Sequence, residues 1–148
     1  MPAKPMVMGI INATPDSFIE GHLKKGVNGM VKLAASMLED GADILDIGGQ
    51  STRPGSSRIE TEEEITRVIP VIEAIIKKFP DAIISIDTYH SGVAKAAVNA
   101  GACMVNDISG GTLDKKMLST VAALKAPFIC MHMQGTPASM QKNPQYDN

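Results

Sequence analysis

Tryptophan is absent from the 148 residues, and only three phenylalanines and two tyrosines are present. No basic block is interleaved with aromatic rings, which argues against a nucleic-acid-binding surface. Charge is almost balanced, with 14 Lys and Arg against 16 Asp and Glu. No apolar run is long enough to span a bilayer. The start, "MPAKPMVMGI", lacks the apolar h-region of a secretory signal, so a cytoplasmic location is expected. The two cysteines, Cys103 and Cys130, have no metal-ligand spacing and sit in apolar runs, so buried, reduced thiols are expected. Methionine is plentiful by comparison, at ten residues, and is read as a packing residue that fills gaps in a core. No linker, low-complexity tract or domain boundary interrupts the chain.

What the sequence does have is a repeating alternation. Short, β-branched-rich runs occur at Met6–Ile11, Asp43–Ile47, Ala82–Ile86, Ala102–Asn106 and Pro127–Met131. They are mostly continuous in apolar character, as expected of parallel strands covered on both faces. Between them lie four helical patterns. Val27, Met30, Val31, Ala34 and Leu38 form a stripe closed by Gly41 as a C-cap. "TEEE" at Thr61–Glu64 reads as a capping box, followed by the apolar face Ile65, Val68, Ile69, Ile72, Ile76 and Phe79. Pro70 inside that pattern predicts a kink or a late helix start. The third helix is expected over His90–Ala100, and the fourth is marked by Leu113, Met117, Leu118, Val121 and Leu124.

Strand–helix alternation means a parallel sheet with right-handed crossovers. Both an open doubly wound sheet and a (β/α)8 barrel satisfy it. The runs end at Asn12, near Asp46, at Asp87, at Asn106–Asp107 and at His132, so polar groups close successive strands. Such residues converge on one mouth in a barrel, whereas an open sheet needs them only at its switch point. No G-x-G-x-x-G fingerprint follows the first strand. The fold expected is therefore α/β: a partial (β/α)8 TIM barrel of about five parallel strands and four helices. A barrel of roughly 250 residues would contain about three more βα units. Residues 1–148 are read as the N-terminal portion of one barrel domain, with open edges at its first and last strands.

The strand-end residues suggest chemistry, each against a plainer alternative. Asn12 offers an oxygen to a hard cation such as Mg²⁺ beside a phosphate, or else an Asx turn in "NATPDS". Asp87 and Asn106 have edges suited to a flat, amidine-like heterocycle, or else cap the helices that follow. Arg53 is the one residue of "DIGGQSTRPG" able to fork an anion, with the Thr52 hydroxyl beside it; alone, an arginine before Pro54 and Gly55 is more readily a surface residue in a turn. His22, His90 and His132 show no metal-ligand spacing.

The motifs in series are more specific. "MGIINATPDSF", "GADILDIGGQSTRPGS", "ISIDTYHSGVA", "VNDISGG" and "CMHMQGTPASMQ" together resemble the dihydropteroate synthase family, the folate-pathway transferases that sulfonamides inhibit. The resemblance implies a (β/α)8 barrel that joins 6-hydroxymethyl-7,8-dihydropterin diphosphate to p-aminobenzoate, giving dihydropteroate and diphosphate. It further implies that Asp87 and Asn106 line the pterin pocket with Ile108 and Met131 packed near the ring. Asn12 would hold Mg²⁺ with the diphosphate, Thr52 and Arg53 would lie beside that diphosphate, and Phe18 and Pro54 would form the p-aminobenzoate pocket. Asp16 would belong to a mobile loop. Asn12, Arg53 and Asp87 are the candidates for the chemistry itself, and a homodimer is the expected assembly of the whole enzyme.

Gln50 stands where many members of the family have Glu. The family's second pterin-binding aspartate, its lysine beside p-aminobenzoate and its arginine–histidine pair cannot be mapped onto this sequence. The expectation is that these 148 residues alone do not catalyse the condensation. A pterin-binding methyltransferase shares the barrel but has no diphosphate to clamp, which leaves "STRPG" and "NATPDSF" without a purpose. A non-catalytic half-barrel that self-associates is the other alternative.

Overall fold

The computed structural model describes residues 5–14, 26–50, 58–135 and 145–146. Among these described residues, five strands alternate with four helices: β1 (Met8–Asn12), α1 (Gly26–Glu39), β2 (Ile44–Gly48), α2 (Thr61–Lys78), β3 (Ile83–Asp87), α3 (Ser91–Asn99), β4 (Met104–Asp107), α4 (Met117–Leu124) and β5 (Phe128–Cys130). The strands are all parallel and lie in the order β1-β2-β3-β4-β5. Each helix packs on the next. Strands in sequential order, with consecutive helices touching, wind in one direction only, as in a barrel and unlike a doubly wound sheet.

Register explains the two faces. Side chains alternate across a strand, and parallel partners share a face. Ile11, Ile47, Ile86 and Val105 stand side by side in one row, and all four are fully buried in the core. That core continues through Met30, Ala34, Val68, Ile72, Ile75, Val93, Ala97 and Val121 of the helices. At about 25 cal/mol per Å² of apolar surface, this face supplies most of the driving force for folding.

The opposite face differs from the sequence expectation of strands covered on both sides. Ile10, Ile83 and Ile129 are 61%, 39% and 38% exposed. These residues alternate with the buried row, so they face away from the helices. Cys103 and Cys130 are also exposed rather than buried, though both are free thiols, because each lies at an end of a short strand. β1 and β5 form the expected open edges.

Three helices stop by one device. Gly41 (φ +97) and Gly101 (φ +119) follow α1 and α3, and Ala42 and Ala102 donate back to Met37 and Ala97 at 2.8 and 2.9 Å. This is a Schellman motif, which needs a left-handed residue. α4 ends in the same way on Lys125 (φ 54), a non-glycine residue in that region. Three helix expectations require correction. Thr61–Glu64 is not a capping box: the N-cap is Glu60 without a side-chain bond, and Glu64 turns into the core at 0% exposure. α2 starts at Thr61 and runs through Pro70 to Lys78, so no late start occurs. In α4, Leu113 precedes the helix and Leu118 is exposed; Leu118 instead covers Gly111. Among the described residues, no helix is long and apolar enough to cross a membrane.

Candidate active site at the strand ends

One residue beyond the buried apolar row, the opposite face carries Asn12, Gly48, Asp87 and Asn106 side by side. The structure thus brings together three expected site residues at the C-terminal ends of β1, β3 and β4. Glycine at 48 leaves this row room. A Cβ there would lie 3.3 Å from Asp87 Oδ2, inside ordinary contact.

A fourth polar residue joins them. Asp46, one step down the same face of β2, is buried, and its Oδ2 accepts a 2.9 Å hydrogen bond from Asn106 Nδ2. Its Oδ1 is buried without a hydrogen-bond partner among the described residues. In the sequence Asp46 had passed for a strand terminus. The available signal was an aspartate in mid-strand between Leu45 and Ile47, where a buried carboxylate is costly unless used. Ser85 Oγ, on the same face, is also buried and has no hydrogen-bond partner among the described residues.

Electrostatics follow from this crowding. Burial pushes the Asp87 carboxyl up to about 7, and the charges of Asp46 and Asp107 push in the same direction. Asp87 is thereby poised to change charge near neutrality, as groups at reaction centres often are. The backbone braces the row: the Thr88 amide donates to Asn106 O at 3.0 Å and that of Ala13 to Gly48 O at 2.7 Å. Ile108 is half-buried and Met131 is 38% exposed at the ends of β4 and β5. The Met131 amide donates to Asp107 O at 3.2 Å, which keeps the two turns adjacent.

Gln50 leads into the segment that carries Thr52, Arg53 and Pro54. Those three residues, with Asp16 and Phe18, lie outside the described residues. The neck of the segment is well defined. Gln50 Oε1 accepts from the Ile59 amide at 2.9 Å and from Tyr89 Oη at 3.2 Å, so it ties the start of the segment to its end and to β3. A glutamate oxygen would accept the same two bonds, which explains how glutamine serves where the family commonly has Glu. Arg67 Nη1 donates to Gly49 O at 2.9 Å, and Arg67 also pairs with Glu63. Glu64 packs beneath Gly49. Among the described residues no donor meets its oxygens in hydrogen-bonding geometry, although the Thr88 hydroxyl is close enough to oppose the rise in its pKa. Burial is the larger effect and lifts Glu64 to about 7, with Asp87 adding to the rise and Arg67 opposing it.

Among the described residues, no group of three or more His, Cys, Asp or Glu is placed to hold a metal ion. Asn12 is exposed at the end of β1. A single exposed amide oxygen suits Mg²⁺ shared with substrate phosphates and water, rather than an all-protein cage.

A parallel βα sheet wound in one direction, with carboxylates and amides aligned at its strand ends, is the arrangement of part of a (β/α)8 barrel whose polar groups gather at the C-terminal mouth. The sequence matches the family described as pterin-binding enzymes over residues 8–148, and the chain belongs to that family. It is 47% identical over 140 residues to dihydropteroate synthase of Synechocystis, covering 95% of this chain and 48% of the relative. It is also 48% identical over 149 residues to the mitochondrial folate synthesis bifunctional protein of Pisum sativum, covering 98% of this chain and 29% of that one. Among solved structures, the Yersinia pestis dihydropteroate synthase with a sulfonamide drug complex aligns with a TM-score of 0.88 at 41% identity, covering 99% of this chain and 52% of the other. The chain thus spans between 29% and 52% of the length of these relatives.

Proposed function

We propose that the chain supplies the pterin side of a dihydropteroate synthase site. The observation that carries this reading is the row of Asp87 and Asn106 in register at adjacent strand ends, with Asp46 buried behind Asn106. A pterin presents a cyclic guanidine edge of N–H donors. The Asp87 carboxylate matches two such donors, and charge assistance makes that pairing strong. Asn106 has one Nδ2 hydrogen committed to Asp46, so it meets the ring with its other N–H and its oxygen. Ile108 and Met131 would cover the ring's apolar faces.

In the condensation, the bond from the pterin methylene carbon to the diphosphate oxygen breaks and a bond to the p-aminobenzoate nitrogen forms. The amine proton passes to solvent and diphosphate departs. Positive charge gathers on the pterin fragment as the bond breaks, and the Asp87 carboxylate stabilises it where it develops. Bound Mg²⁺, held through Asn12, would offset the charge of the leaving diphosphate. Thr52 and Arg53 would hold that anion, Phe18 and Pro54 would receive p-aminobenzoate, and the loop of Asp16 would exclude water on closing. The reading extends to a cytoplasmic location and to the homodimer that the family implies, which light scattering checks for the whole enzyme.

The test is calorimetry with 6-hydroxymethyl-7,8-dihydropterin diphosphate and Mg²⁺, followed by addition of p-aminobenzoate. One-to-one binding without dihydropteroate formation is expected of these 148 residues. No binding overturns the pterin site, and turnover at the rate of a complete synthase overturns the restriction to one side of it. A methyltransferase site would bind the pterin without preferring its diphosphate.

A further inference from the structure

Asp107 is the last residue of β4, one position beyond Asn106, and its side chain lies on the opposite face, at 0% exposure. It does not line the row that faces a ligand. Its carboxylate nevertheless organises the turn after β4. Oδ1 accepts from the Ser109 amide at 2.7 Å and the Ser109 hydroxyl at 2.8 Å, and Oδ2 accepts from the Gly111 amide at 2.8 Å. Its backbone oxygen accepts from the Gly110 amide at 3.1 Å and the Met131 amide at 3.2 Å. Gly110 (φ +56) is pressed so closely on β5 that a Cβ there would lie 2.8 Å from Met131 O and 3.0 Å from Cys130 Sγ.

We infer that Asp107 is a positioning residue that sets the strand-end site from behind, by fixing the turn that carries Ile108 against Met131. The inference rests on the pterin reading above for its functional consequence, but its structural content does not. An Asx turn alone would accept asparagine as readily. Here asparagine would keep the Ser109 bonds only by turning its NH₂ toward the Gly111 N–H, donor against donor. The charge has a second effect. The acidic groups acting on Asp87 are Asp46 on β2 and Asp107 on β4, with Glu64 on α2 responding to Asp87 in turn. Removing the Asp107 charge therefore makes Asp87 easier to ionise. A residue serving only to shape a turn would not do this.

The 148-residue chain tests it with two variants, Asp107→Asn and Ser109→Ala. Three readouts are followed: amide hydrogen exchange at Met131 and Gly111, the Asp87 carboxyl titration by ¹³C NMR, and affinity for 6-hydroxymethyl-7,8-dihydropterin. Asp107→Asn is expected to speed exchange at both amides at least tenfold. It should lower the Asp87 midpoint below the wild-type value of about 7 and weaken pterin binding at pH 8 at least tenfold. Ser109→Ala, which keeps the charge, is expected to speed exchange by a smaller factor and leave the Asp87 midpoint in place. Unchanged exchange or an unchanged midpoint in Asp107→Asn overturns the inference. If that variant does not fold, an unchanged exchange rate or a shifted midpoint in Ser109→Ala overturns it. A wild-type chain that binds no pterin overturns the function proposed above, while the two ligand-free readouts still decide the role of Asp107.

Discussion

On the helix-facing side of the sheet, the row Ile11–Ile47–Ile86–Val105 is wholly apolar and fully buried. One residue further along each strand, the row Asn12–Gly48–Asp87–Asn106 is polar, crowded with charge and partly open. The two rows share the same strands and differ by a single step of the pleat. The first meets helices that bury it, so its residue types are set by packing density. The second faces away from the helices, and under the proposed pterin reading its residue types are set by hydrogen-bonding capacity and charge.

The comparison breaks most clearly under truncation of the core row. Ile47→Ala removes a fully buried side chain and is expected to cost about 2–5 kcal/mol. The matched change Ile10→Ala, on the open face at 61% exposure, should stay within about 0.5 kcal/mol. Urea denaturation of both variants measures the contrast, and equal losses would abolish the distinction between the faces.

A second pair of residues sharpens it through pH. Asp87 and Glu64 keep their protons to about pH 7 in the fold but release them near pH 4 when unfolded. Between those values the folded state holds more protons, so stability falls as pH rises. It should be greatest below about pH 4 as far as these two groups are concerned, and the loss should be complete a little above pH 7. Chemical denaturation at pH 5 and pH 8 is expected to show the higher midpoint at pH 5. The double variant Asp87→Asn, Glu64→Gln should flatten that difference. Pterin affinity should run the opposite way, rising from pH 6 to pH 8 as Asp87 becomes a carboxylate.

The smallest effect concerns neither row. Lys125 occupies the left-handed region at φ 54, where glycine serves α1 and α3. Lys125→Gly trades relief of that strain against lost chain entropy. A gain of about 0.5 kcal/mol is expected by thermal unfolding, without effect on ligand binding.

Much of this was legible in the sequence. Continuous apolar runs located all five strands of the described residues within about two residues, and Gly41 marked the end of α1 correctly. Asn12, Asp87 and Asn106 were legible because they close their runs, and the structure sets them in one row. Asp46 and Asp107 were not singled out, since a strand's polar residue reads as a terminus until register shows its neighbours. Glu64 was misread for a related reason. Its spacing from Thr61 fits a capping box, but its side chain packs against Gly49 in the core instead of reaching back to the helix start. The exposure of Cys103, Cys130 and Leu118 depends on what covers a face, which periodicity does not encode.

The central claim is that the scaffold and the row proposed to read the pterin are separable. The most direct measurement is titration of 6-hydroxymethyl-7,8-dihydropterin into wild type and Asp87→Asn at pH 8, with thermal unfolding of both in the same buffer. The account predicts a loss of affinity of about tenfold to a hundredfold, matching the roughly 1.5–3 kcal/mol of a charged hydrogen bond, with stability equal to or above wild type. Wild-type affinity in Asp87→Asn, or loss of affinity accompanied by unfolding, would contradict it.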